Sequence, residues 1–339
     1  MNKIDRVKAV LEGRRGDRPP VSFWYHFPSD SIAGPRAVEA HLRHVETYDL
    51  DFLKVMNDTR YPAPGLIEGP DDLEKLAVLR GDEGGFGREL ELIRELSRRL
   101  SGVMWMTVTI FNAWTTLRRL AGPHSDVHGP PTLGPASDPR DAVLAGLARQ
   151  CPGAMAHALG TVAESLANFA RCAIEAGANG IYLSVRDDWV DTPENGPGTY
   201  DRLVQPGDLA ILAGAAAGTL NILHACGKAL DFDRFAGYPV QAINWADRSA
   251  GPSIAEAAPR VRPALCAGLD NLGTMVHGSP EDCAAEVADA VQQAGSRPLV
   301  VTPGCTFDPL QVPAANLHAI RRAVERCTPR DPPAAAASD

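Results

Sequence analysis

The chain has 339 residues, of which 45% are hydrophobic and 22% are charged, and its formal net charge is -9 at pH 7. A chain of this length can bury a sizeable core, and the composition is typical of a soluble globular protein. The acidic balance and the lack of a block rich in Lys and Arg argue against a nucleic-acid partner.

The N-terminal segment, MNKIDRVKAVLEGRRGDRPP, carries charges every three or four residues. It lacks the apolar region of about 7–15 residues that a secretory signal needs. No apolar run approaches the roughly 20 residues of a membrane span. Seven scattered cysteines, an odd number, do not suggest a disulfide framework. We therefore expect a cytoplasmic protein that makes no membrane contact.

Eight short apolar runs bounded by turn residues predict β-strands along the chain. They cover residues 19–27, 51–57, 103–111, 179–185, 220–226, 240–246, 263–270 and 297–305. Segments with helical periodicity lie between these runs. In one of them, residues 280–295, Ser279 is the predicted N-cap, Pro280 takes the first helical position and Gly295 ends the helix.

Strands that are apolar on both faces and alternate with helices are typical of a parallel sheet. We predict an α/β fold, a single (β/α)₈ TIM barrel over residues 1–328, followed by a disordered tail over residues 329–339. The alternative is an open doubly wound sheet. Such a sheet usually has a Gly-rich phosphate loop after its first strand, and PPVSFWYHFPSD contains no glycine.

A candidate metal site lies at the ends of two predicted strands, where TIM barrels build their active sites. In the run NILHACGK, His224 and Cys226 are two residues apart and would point into one space. Cys305, 79 positions after Cys226, ends the last predicted strand. One imidazole and two thiolates suit Zn²⁺, with a fourth position left open. The alternative is a hydrogen-bonded histidine beside two cysteines that only fill space.

Other polar residues at strand ends are candidates for substrate binding, namely His26, Asn57, Asn244 and Asp247. Asn57 could instead cap the following helix. Asn244 and Asp247 could orient a ligand or a metal-bound histidine, or could belong to a loop network. The segment from Asp187 to Trp189 is predicted to be a solvated loop with a surface aromatic. The pattern does not identify a general acid or base.

The sequence resembles the uroporphyrinogen decarboxylase superfamily, and within it the cobamide-dependent methyltransferases. The resemblance is carried by RVKAVLEGRRGDRPPVSF, YDLDFLKVMNDTRYP, EAGANGIYLSV, HACG, INWADRSAGPS and TPGCTFDPLQVPAANLHAI. It implies a TIM barrel, in agreement with the strand count. It also implies a zinc site built from an H-x-C at one strand end and a cysteine in a later G-C. The matching positions are His224, Cys226 and Cys305.

True uroporphyrinogen decarboxylases carry an arginine-rich R-Q-A-G-R stretch after the first strand, which holds a substrate with many carboxylates. The corresponding residues here, YHFPSD, include no arginine. The loss of these charge-assisted contacts argues against porphyrinogen decarboxylation.

The resemblance therefore implies a zinc-dependent methyltransferase that moves a methyl group from a corrinoid-type or other methylated donor to a zinc-activated thiol. No corrinoid-binding module is apparent, so a corrinoid would be carried by a separate protein. The alternatives are a decarboxylase or other lyase acting on a small or tetrapyrrole acid, and a non-catalytic protein that binds metal or corrinoid. The sequence identifies neither the methyl donor and acceptor nor the oligomeric state.

Overall fold

The computed structural model describes residues 1–121 and 139–327, so the predicted tail over residues 329–339 lies outside the described residues. The strands are Phe52–Val55 (β1), Trp105–Phe111 (β2), Gly180–Val185 (β3), Ile222–Ala225 (β4), Ala242–Trp245 (β5), Ala264–Leu269 (β6) and Leu299–Pro303 (β7). Within these ranges no helix combines the length and apolar character that crossing a bilayer would require.

The described helices alternate with the strands, several of them as pairs. They are Lys3–Leu11 (α1), Gly34–Tyr48 (α2), Pro70–Glu74 (α3), Gly84–Leu100 (α4), Ala113–Leu120 (α5), Pro139–Gln150 (α6), Pro152–Glu175 (α7), Thr199–Leu203 (α8), Gln205–Gly214 (α9), Phe232–Phe235 (α10), Ile254–Ala257 (α11), Thr274–His277 (α12), Pro280–Ala294 (α13) and Ala314–Arg326 (α14).

The seven strands form one parallel sheet whose spatial order, β1 to β7, follows the chain. A doubly wound sheet reverses its order at a switch point, so this order excludes the alternative fold. Each strand lies inside one of the predicted apolar runs, and these seven predictions are confirmed. The strands are almost wholly buried because the sheet interior is on one face and the surrounding helices are on the other.

The remaining predicted strand, residues 19–27, is not a regular strand. It makes two isolated bridges, Val21 to Val301 and Tyr25 to Phe307. The Asp51 amide donates to the Val21 carbonyl, so the segment lies between β7 and the start of β1. Pro19 and Pro20 begin the segment and have no N–H to donate, which prevents a continuous ladder there. The structure thus shows a curled seven-stranded sheet, and the eighth regular strand of the predicted barrel is absent from the described residues.

Buried charges attach this segment to the sheet. The Asp51 carboxylate is fully buried and accepts hydrogen bonds from Arg6 at 2.7 Å and from Arg18 at 2.6 Å. It also accepts the Val21 amide at 2.8 Å. Arg6 lies on α1 and Arg18 precedes the segment, so one carboxylate joins the N-terminal helix, the bridging segment and β1.

Helix α13 follows its predicted local signals. The Ser279 hydroxyl accepts the Asp282 amide at 3.1 Å, and the Asp282 carboxylate accepts the Ser279 amide at 2.9 Å. Gly295 follows the last turn with φ of 59°. The predicted cap, the proline at the first position and the glycine stop are confirmed.

Candidate metal centre and substrate cavity

The curl of the sheet brings the proposed metal ligands together. β4 and β7 are three places apart in the sheet, which would separate them by about 14 Å if the sheet were flat. The ligand atoms of His224, Cys226 and Cys305 nevertheless all lie within 4.8 Å of one another. His224 lies in β4, and Cys226 is the first residue after that strand. Cys305 comes two residues after the end of β7. The three residues singled out in the sequence therefore form one cluster.

The His224 imidazole is held by a buried amide. Asn244 faces His224 in the register of β4 and β5, and its Oδ1 lies 2.6 Å from His224 Nδ1. Asn244 Nδ2 donates to the carbonyls of Cys266 and Pro303, which fixes Oδ1 toward the histidine. Nδ1 therefore carries the proton, and the Nε2 lone pair is left for a ligand bond.

The Tyr182 ring packs on the same imidazole. The centroids of the Tyr182 and His224 rings are 5.3 Å apart and the rings are inclined by 25°. The Tyr182 hydroxyl donates to Asn244 Oδ1 at 2.7 Å. The imidazole is thus held on its face and at its edge, in the manner in which outer groups orient metal-binding histidines.

The two thiols interact directly. A hydrogen bond from Cys226 to the Cys305 sulfur lowers the pKa of Cys305 well below its usual value, and the neighbouring His224 acts in the same direction. The same hydrogen bond, together with burial, raises the pKa of Cys226. The hydrogen bond therefore favours the state in which one thiol of the pair has lost its proton and the other donates to it.

A glycine stands next to each cluster cysteine, because the backbone there passes close to a neighbouring loop. Gly227 has φ of 122°, and a Cβ there would lie 2.8 Å from the carboxylate of Asp188. At Gly304 a Cβ would lie 2.6 Å from the Cα of Ala246. The turns after β4 and β7 can therefore pass close to neighbouring loops only with glycine at these positions.

A cavity of about 140 Å³ opens beside the cluster, and we call it the main cavity. Besides the three cluster residues it is lined by Trp24, His26, Lys54, Met56, Thr109, Phe111, Thr115, Tyr182, Ser184, Arg186, Trp189 and Thr306. The polar and charged groups converge on an otherwise apolar and aromatic surface, as in typical small-molecule sites.

Lys54 is the functional candidate that the sequence patterns did not reveal. Its side chain is buried, and Nζ lies 4.5 Å from the centroid of the Tyr182 ring and 3.0 Å from the Met56 sulfur. Burial lowers the pKa of Lys54 to about 7. The only signal available was a lysine inside the apolar run FLKV, at a position that alternation places in the sheet interior.

The loop after β3, which was predicted to be solvated, instead lines the main cavity with Arg186 and Trp189. The Trp189 ring lies between two guanidinium groups, 3.8 Å from that of Arg118 and 4.0 Å from that of Arg186. Arg186 pairs with Asp188 at 2.5 Å. Asp187 is buried, which raises its pKa to about 6, and it pairs with Arg234. The prediction was wrong because ion pairs and cation–π contacts remove these side chains from solvent.

Two of the four predicted substrate-binding residues line cavities. His26 lines the main cavity, and its Nδ1 lies 2.7 Å from Asp58 Oδ1. Asn57 lines a smaller neighbouring cavity, while its Oδ1 accepts hydrogen bonds from the Thr59 amide and hydroxyl. Asn57 therefore faces a cavity and makes a local contact with Thr59, and it does not cap a helix, since the next helix begins at Pro70.

The other two predicted residues do not line either of these cavities. Asn244 is fully buried and reaches the main cavity through the side chains of His224 and Tyr182. Asp247 accepts the Gly268 amide at 2.9 Å and pairs with Arg248. Burial raises the pKa of Asp247 to about 6. The structure places Asn244 behind the proposed metal ligands and Asp247 in the loop network between β5 and β6.

Comparisons with known proteins agree with this architecture. A methyltransferase from Methanosarcina mazei superposes with a TM-score of 0.74 at 16% identity, covering 96% of this chain and 99% of the other. A putative vitamin-B12 independent methionine synthase from Listeria monocytogenes superposes with a TM-score of 0.56 at 13% identity, covering 86% of each chain. At these identities the likeness shows the fold.

A search of curated protein sequences finds no match to this chain. The sequence profile of the family described as uroporphyrinogen decarboxylase (URO-D) matches residues 55–327, which run from the last residue of β1 past the end of α14 and include all three cluster residues. The chain therefore belongs to the uroporphyrinogen decarboxylase family.

Proposed function

We propose that the protein is a zinc-dependent methyltransferase that moves a methyl group from a corrinoid-type or other methylated donor to a thiol. The observation that carries the proposal is the cluster of His224, Cys226 and Cys305, whose ligand atoms lie within 4.8 Å of one another beside the main cavity. One nitrogen and two sulfur donors fit zinc, and three protein ligands leave a position for a substrate. Bound zinc would act as the Lewis acid that deprotonates a thiol near neutral pH.

The chain's own groups prepare the site for a negatively charged sulfur. Asn244 keeps the His224 proton on Nδ1 and so presents Nε2 as a donor. Arg186 places a cationic side chain in the main cavity, and Lys54, with a pKa of about 7, adds a second amine that a nearby thiolate would keep protonated; low exposure to water strengthens both attractions. Trp24 and Tyr182 cover the apolar side of the cavity and limit the access of water.

The fold likeness to the Methanosarcina mazei methyltransferase supports this class of reaction. The methyl donor would be presented by a separate corrinoid protein at the open side of the main cavity, and the acceptor would be a small-molecule thiol. Both assignments belong to the proposal.

The first test is the metal content of the protein, purified under reducing conditions without chelators. We expect about one zinc per chain in the wild type and little in His224→Ala, Cys226→Ser and Cys305→Ser. Cys283→Ser is the control, because Cys283 is a buried cysteine of α13 that lies outside the cluster. Circular dichroism checks folding. Zinc-free wild type, or variants that retain zinc, would contradict the proposal.

The second test measures methyl transfer from methylcobalamin to added thiols by the change in corrinoid absorbance. We expect turnover by the zinc-loaded wild type and by Cys283→Ser, and at least a hundredfold loss in Cys305→Ser.

A decarboxylase or other lyase remains the second candidate, favoured by the His26 and Asp58 pair at the main cavity. The two groups lie 2.7 Å apart and could move a proton to or from a bound acid. Turnover of an acid that survives complete zinc removal and the Cys305→Ser substitution would support this candidate over the methyltransferase.

A further inference from the structure

A second cavity lies beside the main cavity and is separated from it by one ring. It has a volume of about 50 Å³, and Phe111 lines both cavities. Its apolar wall includes the rings of Tyr61, Phe86 and Phe169. A cavity needs about 10–15 Å³ of this volume to hold one water molecule, so this second cavity has room for a group of about three to five heavy atoms. We call this space the side chamber.

Arg119, in the last turn of α5, lines the side chamber and has no anionic partner among the described residues. Its guanidinium lies 4.5 Å from the centroid of the Phe111 ring, and it makes no hydrogen bond or ion pair with the described part of the chain. The adjacent Arg118 differs, because it pairs with Asp141. Burial lowers the pKa of Arg119, as expected for a cation that lacks compensation.

The nearby carboxyl groups do not neutralise this cation by direct pairing. Asp58 attracts Arg119 over a distance but makes its hydrogen bond to His26. Glu89, on α4, is fully buried and makes no hydrogen bond or ion pair with Arg119, and burial raises its pKa well above the usual value. A partly buried guanidinium without an ion-pair partner is stabilised when a ligand supplies the missing anion.

The other polar groups of the side chamber are mainly donors. Asn57 uses its Oδ1 in the turn to Thr59, and its Nδ2 donates to no described residue. Thr116 contributes a hydroxyl, and Arg60 stands exposed at the rim. The hydroxyls of Thr59 and Thr116 already donate to Asn57 and to the Phe111 carbonyl, so the donors left for a ligand are the Arg119 guanidinium and the Asn57 amide, which suit a carboxylate.

We propose that the side chamber, defined by Asn57, Thr59, Arg60, Thr116 and Arg119, binds the carboxylate of a substrate whose reacting end lies in the main cavity. The part between the two ends is apolar or aromatic, because it passes Phe111. The identity of the reacting end as a thiol rests on the proposed function, whereas the carboxylate site does not.

The test compares an acid with its neutral analogue. Isothermal titration calorimetry measures the binding of 4-ethylbenzoate and 4-ethylbenzamide, which carry no sulfur and so need no metal. We expect the wild type to bind the acid at least tenfold more tightly than the amide. Arg119→Met should abolish this preference and Arg119→Lys should restore part of it. Arg36→Met, which removes an exposed arginine of α2, should behave as the wild type.

Thermal unfolding without ligand separates a binding role from a structural one. Arg119→Met removes an uncompensated charge, so its Tm should equal or exceed that of the wild type. Equal affinity of the wild type for acid and amide, no detectable binding of the acid, or an unchanged preference in Arg119→Met would each overturn the proposal. A Tm lower by several degrees in Arg119→Met would also overturn it, since Arg119 would then be structural.

The same variants in methyl transfer tell the two proposals apart. With 4-(mercaptomethyl)benzoate as acceptor, Arg119→Met should raise KM at least tenfold, and it should raise the KM of the corresponding amide by a much smaller factor. Arg119-dependent binding of 4-ethylbenzoate without methyl transfer to any thiol would retain the side chamber and reject the methyltransferase. If the protein methylates neutral thiols and Arg119→Met does not change the KM of acidic thiols, the methyltransferase is retained and the carboxylate site in the side chamber is rejected.

Discussion

The Asn244 side chain connects the proposed metal ligands to the body of the sheet. Its oxygen faces His224, and its nitrogen donates to the carbonyls of Cys266 and Pro303 on the next two strands. It is fully buried, so its contribution to metal binding is made through the histidine alone. This arrangement allows the orientation of His224 to be tested without altering a ligand.

We predict that Asn244→Ala weakens zinc binding by about 10–100-fold, because the imidazole loses the group that fixes its proton on Nδ1. Competition with a chelator of known zinc affinity measures the change. Asn316→Ala is the control, since Asn316 is a buried amide that holds the carbonyls of Met275 and Gly278. Equal zinc affinity in the two variants would contradict the prediction.

Single residues differ in how far the sequence predicts their roles. His224 and Cys226 could be paired because alternation along a strand is local, and Cys305 followed from the ends of parallel strands meeting at one edge. Lys54 could not be assigned, because its burial depends on Trp24 and Tyr182, which come from other parts of the sheet. Asn244 was a substrate-binding candidate that could also orient a histidine, and in the structure it hydrogen-bonds His224.

At the scale of elements, the segment over residues 19–27 shows that an apolar pattern predicts burial better than it predicts a regular hydrogen-bonded strand. The pattern identifies a segment that will be buried between two strands, and Trp24 and His26 do face the main cavity. The apolar pattern does not predict which backbone N–H groups of the segment will be hydrogen-bonded. That depends on Pro19 and Pro20 and on the distant residues Asp51 and Val301. Helix α13, by contrast, is specified by its own Ser279, Pro280 and Gly295 and was predicted correctly.

We predict that Asp51→Asn lowers the free energy of unfolding by about 3–5 kcal/mol. The substitution leaves the guanidinium groups of Arg6 and Arg18 buried with less compensation. Denaturant unfolding followed by circular dichroism measures the loss. Asp30→Asn, which breaks an exposed pair with Arg36, should cost less than about 1 kcal/mol. A similar loss in both variants would show that the buried network does not hold the segment.

At the scale of the whole molecule, strand and helix alternation predicted the parallel sheet, and the chain-order topology followed from it. The sequence could not show whether the eighth predicted strand completes a regular ladder. The closeness of His224 to Cys305 depends on the curl, which arises from the packing of all seven strands and is not coded at either residue. The side chamber likewise requires α4, α5 and α7 to meet, through Phe86, Arg119 and Phe169.

Stability should depend on pH through Asp208, a fully buried carboxyl on α9. It accepts hydrogen bonds from the hydroxyls of Tyr200 and Tyr238, and burial raises its pKa to about 7. The unfolded chain loses this proton near pH 4, so the stabilising contribution is present below that pH and is lost as pH rises through about 7. The wild type should therefore lose about 2–3 kcal/mol from this group between pH 5 and pH 8.

Urea unfolding at pH 5, 6, 7 and 8 tests this dependence. Asp208→Asn keeps the shape and removes the titration, so its stability should fall less over this range than that of the wild type. Asp71→Asn, at an exposed position of α3, should leave the wild-type slope unchanged. If the free energy of unfolding changes with pH by the same amount in the wild type and in Asp208→Asn, the pH dependence does not come from Asp208.

The separation of Cys305 from Cys226 by 79 positions also has a consequence for the order of events during synthesis. At translation rates of about 5–20 residues per second, a nascent chain would spend roughly 4–16 s with His224 and Cys226 already made and Cys305 still missing. A fragment with two ligands cannot complete the cluster. Metal acquisition would then follow the synthesis of β7, and a ribosome stalled anywhere between the two cysteines would hold a chain unable to retain the ion.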